Sequence, residues 1–142
     1  MAREIKFRAK VKHHNPMTNP ENGWVEGFYF QDLTQGEMRS YIFQPPCSWE
    51  VIPETVGQFT GLLDKNGKEI YEGDIIFSQK CDCSAILHKI EYNVDNAMFV
   101  AKPIQGWDFD FCQIRKDWID KYGKEVIGNI YDNLELLKAE TL

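Results

Sequence analysis

Residues 60–76, Thr-Gly-Leu-Leu-Asp-Lys-Asn-Gly-Lys-Glu-Ile-Tyr-Glu-Gly-Asp-Ile-Ile, constrain the fold more than any other stretch of the chain. Asp64-Lys65-Asn66-Gly67-Lys68 lies between the apolar pairs Leu62-Leu63 and Ile70-Tyr71. Asn-Gly between such flanks is the strongest short-range hairpin signal, because both residues tolerate positive φ. Glu72-Gly73-Asp74 then punctuates the chain before Ile75-Ile76-Phe77, with Gly73 able to adopt a backbone conformation that a Cβ would resist. Asp74 has a local role there as the acceptor of a turn. The segment predicts strand, tight turn, short strand, second turn and strand, and so a mainly β protein.

The flanking sequence extends that reading. In residues 3–12, Ile5, Phe7, Ala9 and Val11 alternate with Glu4, Lys6, Arg8, Lys10 and Lys12, the period of a strand with one buried and one wet face. Residues 13–23 are rich in Asn and Pro and read as a loop. The aromatic run 24–30 is a second strand, which Thr34-Gln35-Gly36-Glu37 turns into a third over 38–43. Two adjacent prolines in Gln44-Pro45-Pro46-Cys47-Ser48 remove two ladder donors, which marks a crossing or a boundary. The division is placed near Pro53, giving an amino-terminal β extension, residues 1–54, and a barrel region, residues 55–142. Short strands are predicted over 56–62, 69–71, 74–79, 84–92, 97–102 and 125–131, a spacing that suits a small barrel. Ile114, Trp118 and Tyr122 recur every four residues before Gly123, predicting a helix over 113–122. A final helical turn is expected at 134–137, after the capping residues Asp132 and Asn133.

Three blocks of the sequence carry a family resemblance. The opening Arg3-Glu-Ile-Lys-Phe-Arg-Ala9, residues 59–75 and the closing Val126-Ile-Gly-Asn-Ile-Tyr-Asp-Asn-Leu-Glu-Leu-Leu137 resemble those of the YopX family of phage and prophage proteins, in the same order and over nearly the whole chain. Two positions depart from the pattern: Lys10 stands where Trp is frequent, and Leu134 where Pro is frequent. The resemblance implies a small β-rich fold with an SH3-like barrel, a phage or prophage origin and no established biochemical activity.

Composition bounds the function. The 142 residues, 43% hydrophobic and 13% aromatic, suffice for a core. A net charge of −6 disfavours a protein devoted to neutralising phosphates. Residues 1–12 nevertheless carry five cations against Glu4, a local net of +4. No apolar stretch reaches the length of a membrane span, so the expectation is a protein of the bacterial cytoplasm with Cys47, Cys81, Cys83 and Cys112 as free thiols.

Catalytic signals are sparse. Cys81-Asp82-Cys83 lacks the second ligand pair that a structural zinc site needs. His88 shares strand parity with Ile86, Ile90 and Tyr92, where a packed, hydrogen-bonded histidine is the simpler reading, and His13-His14 opens a polar loop. Asp108, Asp110, Glu69 and Glu72 read as surface carboxylates. There is no phosphate-binding loop, dinucleotide fingerprint, serine elbow or papain-like cysteine context. The expectation is therefore a protein with no catalytic residues, metal or cofactor, whose partner is a phage or host protein or another copy of itself. Trp24, Tyr29, Tyr41 and Trp49 are the candidate partner-binding residues. The alternative is a weak binder of single-stranded nucleic acid, using Lys6, Arg8, Lys10 and Lys12 beside those aromatics.

Overall fold

Alternation along the first strand organises the amino-terminal part of the protein. The computed structural model describes residues 3–13, 22–79, 85–104, 112–120 and 123–138. By its contacts the chain divides into two units, Met1–Phe59 and Thr60–Leu142. In the first, β1 (Phe7–Lys10) pairs antiparallel with the start of β2 (Trp24–Thr34), from Phe7 opposite Gly27 to Lys10 opposite Trp24. The rest of β2 pairs with β3 (Glu37–Gln44), from Phe28 opposite Phe43 to Thr34 opposite Glu37. Gln35 and Gly36, both at positive φ, make the predicted turn.

Pro45-Pro46 is a correction to the sequence reading. The pair, joined by a cis peptide, forms the turn of a further hairpin into β4 (Cys47–Glu50), with Gln44 opposite Cys47. At a hairpin tip the missing N–H groups interrupt no ladder, so the prolines mark neither a crossing nor a boundary.

The first sheet then curls back on itself. Val11 bridges Val51, the Lys12 amide donates to the Glu50 carbonyl at 2.9 Å, and the Ile52 amide donates to the Lys10 carbonyl at 2.8 Å. Ala9, Val11, Val25, Ile42 and Val51 are buried inside the curl, with Phe7, Tyr29, Trp49 and Val56 packed against them. Burying each larger aliphatic side chain contributes roughly 1.5–3 kcal/mol. After a single 3₁₀ turn, Pro53–Thr55, the Thr55 hydroxyl oxygen accepts from the Lys10 amide at 2.9 Å and its hydrogen goes to the Ile52 carbonyl at 2.7 Å. The first half of β5 (Gly57–Leu63) continues the sheet beside β1.

The second unit contains the remainder of β5, β6 (Glu69–Tyr71), β7 (Asp74–Gln79), β8 (Ala85–Asn93), β9 (Met98–Pro103), β10 (Cys112–Gln113), α1 (Lys116–Asp120), β11 (Glu125–Asn129) and α2 (Leu134–Leu137). Its antiparallel sheet has the order β10-β9-β8-β7-β11. Ile70, Ile76, Ile90, Ala101 and Ile119 form its core, and Leu62, Ile114, Trp118 and Val126 cover it. The helix starts at Lys116 rather than Gln113, and the sequence reading predicts no strand at β10. Tyr122 lies outside the described residues. The mainly β class holds, but neither sheet closes into the expected barrel among the described residues: the outer strands β10 and β11 do not pair with each other, and the curl of the first sheet rests on one isolated bridge.

The motif that opened the sequence reading is a structural clamp. Asp64 Oδ1 accepts the amides of Asn66 at 2.8 Å and Lys68 at 2.9 Å, while Oδ2 accepts that of Val126 in β11 at 2.9 Å. Asp74 Oδ2 accepts the Tyr71 amide at 2.8 Å across the Glu72-Gly73 turn. Gly73 donates to the Ile90 carbonyl and accepts from Ile130, both at 2.8 Å. At φ 88°, with Tyr131 Cε2 only 3.0 Å from where a Cβ would stand, Gly73 has little room to change. Gly73→Ala is expected to destabilise the protein by about 1–3 kcal/mol, read as a lower urea midpoint at unchanged slope.

Candidate functional site

Parity places two kinds of residue on the two faces of β2 and β3. Val25, Tyr29, Ser40 and Ile42 face the curled interior, where the Tyr29 hydroxyl meets Ser40 Oγ at 3.2 Å. Phe28, Phe30, Tyr41 and Phe43 lie on the other face. Phe28 stands directly opposite Phe43, and Phe30 opposite Tyr41. The second pair is stacked, with ring centroids 5.2 Å apart and planes at 16°. Phe28 is 59% exposed, although a phenylalanine in a strand ordinarily gains from burial. Glu50, opposite Tyr41 on β4, receives Arg39 at 3.3 Å and Lys12 at 3.4 Å, a charged border to the aromatic patch.

The basic residues of β1 share this outward face, and their charges are engaged. Arg8 lies over the Trp24 ring at 4.9 Å and Lys10 over it at 5.7 Å. Lys6 lies over Phe59 at 5.2 Å and pairs with Glu4 at 3.4 Å. Lys10 takes the Trp24 ring from directly across the ladder. The arrangement brings Arg8, Lys10 and Trp24 together and leaves an ordered cation–aromatic row rather than a set of free phosphate-binding charges.

A family model described as YopX protein matches residues 6–138. The chain belongs to the YopX family. The crystal structure of protein EF1440 from Enterococcus faecalis is similar to this YopX-family chain, with a TM-score of 0.54 and 27% sequence identity, over 96% of this chain and 99% of that one. No curated protein matches it. The matched stretch contains Asp64, Gly73, Asp74 and Val126, whose contacts above hold turns and strands together. Those contacts account for the residue types at these positions without invoking chemistry on a substrate.

The four candidate partner-binding residues fall on both sides of the sheet. Trp24 and Tyr41 face outward; Tyr29 and Trp49 pack on the inner core, the former against Phe7 at a centroid distance of 5.6 Å. Phe28, Phe30 and Phe43 complete the outward patch instead. Their signal was present in the sequence: Phe28 and Phe30 share the parity opposite to Val25, and the Gln35-Gly36 turn fixes which residues of β3 face them.

Other candidate residues are dispersed. His88 is buried and meets the Trp118 ring edge-on at 5.5 Å. Lys124, also buried, lies 4.5 Å over that ring and donates to Ser78 Oγ, so this polar group is packed inside the second sheet. Cys47 and Cys112 are exposed in different units, and His13 is exposed. Glu69 and Glu72 are half-buried. His14, Cys81, Cys83, Asp108 and Asp110 lie outside the described residues. Among the described residues no three His, Cys, Asp or Glu side chains gather as metal ligands, and no helix is long and apolar enough to cross a membrane.

Proposed function

We propose that this YopX-family chain is a non-catalytic phage or prophage accessory protein of the bacterial cytoplasm that binds a protein partner through the outer face of β2 and β3. The carrying observation is the pair of exposed cross-strand contacts, Phe28 with Phe43 and Phe30 with Tyr41. Apolar area removed from water contributes about 25 cal/mol per Å². Aromatic residues within a charged border are the composition of protein-binding surfaces, and Lys12, Arg39 and Glu50 supply that border. The fitting partner is a protein segment with apolar side chains at its centre. The amino-terminal β extension, residues 1–54, carries this surface.

The test is affinity capture of the tagged full chain from cells carrying the active phage, with a nuclease wash. Phe28→Ser together with Phe43→Ser should reduce recovery of the stoichiometric partner at least tenfold. Phe28 is 59% and Phe43 36% exposed, so folding stability should fall by about 2 kcal/mol, mostly from Phe43. Equal recovery by the folded double variant contradicts the reading.

The Arg8–Lys10–Trp24 row favours a second reading, a platform for single-stranded nucleic acid. It predicts binding that weakens steeply with salt and is lost when Lys6, Arg8 and Lys10 are replaced by Glu. The pairing of Lys6 with Glu4 and of Lys12 with Glu50 weighs against it.

A further inference from the structure

Two Asn-Gly pairs occur in the chain, Asn22-Gly23 at the entry to β2 and Asn66-Gly67 at the turn between β5 and β6. Such a pair can react with itself, because glycine has no Cβ to hinder the approach of its amide nitrogen to the asparagine side-chain carbon. Exposure alone does not rank them: both asparagines are exposed, and Gly67 is more exposed than Gly23. Hydrogen bonds rank them the other way.

At Asn66 both reacting groups are engaged. The Gly67 amide donates to the Asp64 carbonyl at 3.0 Å, and the Asn66 side-chain amide donates to Glu125 Oε2 at 3.3 Å. The turn around them is fixed as well, by the Asn66 amide on Asp64 Oδ1 at 2.8 Å and the Lys65 amide on the Lys124 carbonyl at 3.0 Å. At Asn22 the contacts favour reaction. Its Oδ1 accepts the Trp24 amide at 3.0 Å, a bond that folds the side chain back along its own main chain toward the Gly23 peptide. Among the described residues no acceptor takes the Gly23 amide. The Trp24 N–H also stands at the distance from Oδ1 at which a donor stabilises negative charge building on a carbonyl oxygen under attack.

We propose that Asn22 is a self-modification site: in the folded protein its side chain closes on the Gly23 nitrogen and converts to aspartate and isoaspartate, while Asn66 is protected by its turn. The Gly23 amide gives its proton to hydroxide and its nitrogen bonds to Asn22 Cγ. The Cγ–Nδ2 bond then breaks as Nδ2 takes a proton from water, which releases ammonia and regenerates hydroxide. Water opens the resulting ring at either of its two carbonyl–nitrogen bonds. Cleavage at Cγ leaves aspartate, and cleavage at the main-chain carbonyl leaves isoaspartate. Either product alters the start of β2. Aspartate places a new negative charge two residues before Trp24, whose ring carries Arg8 and Lys10. Isoaspartate adds one atom to the main chain just before Gly23, whose carbonyl accepts the Val11 amide at 2.9 Å, and so disturbs the register of Trp24 opposite Lys10. The reaction needs only the chain and water, so it stands independently of what the outer face binds.

The test is peptide mapping of the full chain after incubation in mildly alkaline buffer. Fragment masses locate each residue that has gained one mass unit, and chromatography separates aspartate from isoaspartate. Asn22 should convert about tenfold or more faster than Asn66, because the second pair must first break two hydrogen bonds. In guanidinium chloride the two rates should converge. Asn22→Gln should remove the fast phase of ammonia release from the folded protein. Folded protein in which Asn66 converts as fast as Asn22, or in which neither converts, overturns the proposal. A rate gap that persists unchanged in denaturant overturns it too, since neighbouring side chains rather than the fold would then set the rates.

Discussion

Asp64→Ala is expected to lower the unfolding free energy by about 3 kcal/mol. The substitution leaves the amides of Asn66, Lys68 and Val126 without their acceptor, in a position where Asp64 is only 6% exposed. Each orphaned donor in such a place costs about 1 kcal/mol or more. Two of the three lie in the hairpin turn and the third in β11, so the turn should detach from the strand that closes the sheet. Asp64→Asn keeps one oxygen acceptor and should cost about 1–2 kcal/mol. The pH dependence has a definite sign. Burial pushes the carboxyl pKa up, but the amides of Val126, Lys68 and Asn66 and the Lys68 charge outweigh it and hold the group below its ordinary 3.8. Its contribution is therefore complete above that value and is lost as pH falls through the depressed folded-state pKa. Urea unfolding from pH 7 downward should show the gap between the wild type and Asp64→Asn narrowing only in strongly acid solution.

Gly27→Ala should be nearly as damaging, for a steric reason. A Cβ at Gly27 would run into the Phe43 carbonyl oxygen, and its next neighbours are also backbone atoms, the Phe43 carbonyl carbon at 3.0 Å and Gln44 Cα at 3.4 Å. Backbone held in a β ladder cannot swing aside as a flexible side chain does, so the β2–β3 pairing must shift where β2 passes from β1 to β3. The expected loss is about 2–3 kcal/mol, or roughly a 10 °C fall in melting temperature. Phe28→Ala, one residue on, removes a far larger group yet should cost under about 1 kcal/mol because that ring is exposed. Calorimetry of the two variants reads this reversal of the order that side-chain size alone would give.

Local chemistry explains which features were legible in the sequence. The Asn66-Gly67 and Gln35-Gly36 turns, the strands 69–71 and 74–79 and the terminal turn at 134–137 are set by residues close in sequence, and the structure places each where periodicity and turn signals did. Pro45-Pro46 points locally to a crossing or a boundary because a proline pair ends a ladder, and a hairpin tip ends one equally well. What chose the tip was the pairing of β4 with β3, a contact that local propensity does not encode. Asp64 reads as part of a turn from its neighbours, but its bond to Val126 joins residues 62 positions apart and is visible in neither segment alone. The same limit applied to the outer face. Parity separates Phe28 and Phe30 from Tyr29, but which parity is wet depends on the curl that brings Val51 to Val11.

The division of labour that emerges is between a clamp and a surface. Residues 64–74 and 126–128 supply turn acceptors and the tightly packed Gly73 and Gly128, while exposed Phe28, Phe30 and Phe43 lie in residues 28–43. Under the proposed binding role, substitutions of the outward rings of β2 and β3 should cost association, and substitutions of the turn acceptors should cost stability.

The most direct test of that account is oxidative footprinting of side chains, with the protein free and in its nuclease-resistant captured complex. Protection concentrated on Phe28, Phe30, Tyr41 and Phe43, with Tyr92 and Phe99 of the second unit unchanged, is the predicted result. Unchanged labelling of the four β2–β3 rings, with protection appearing on the second unit instead, would contradict it.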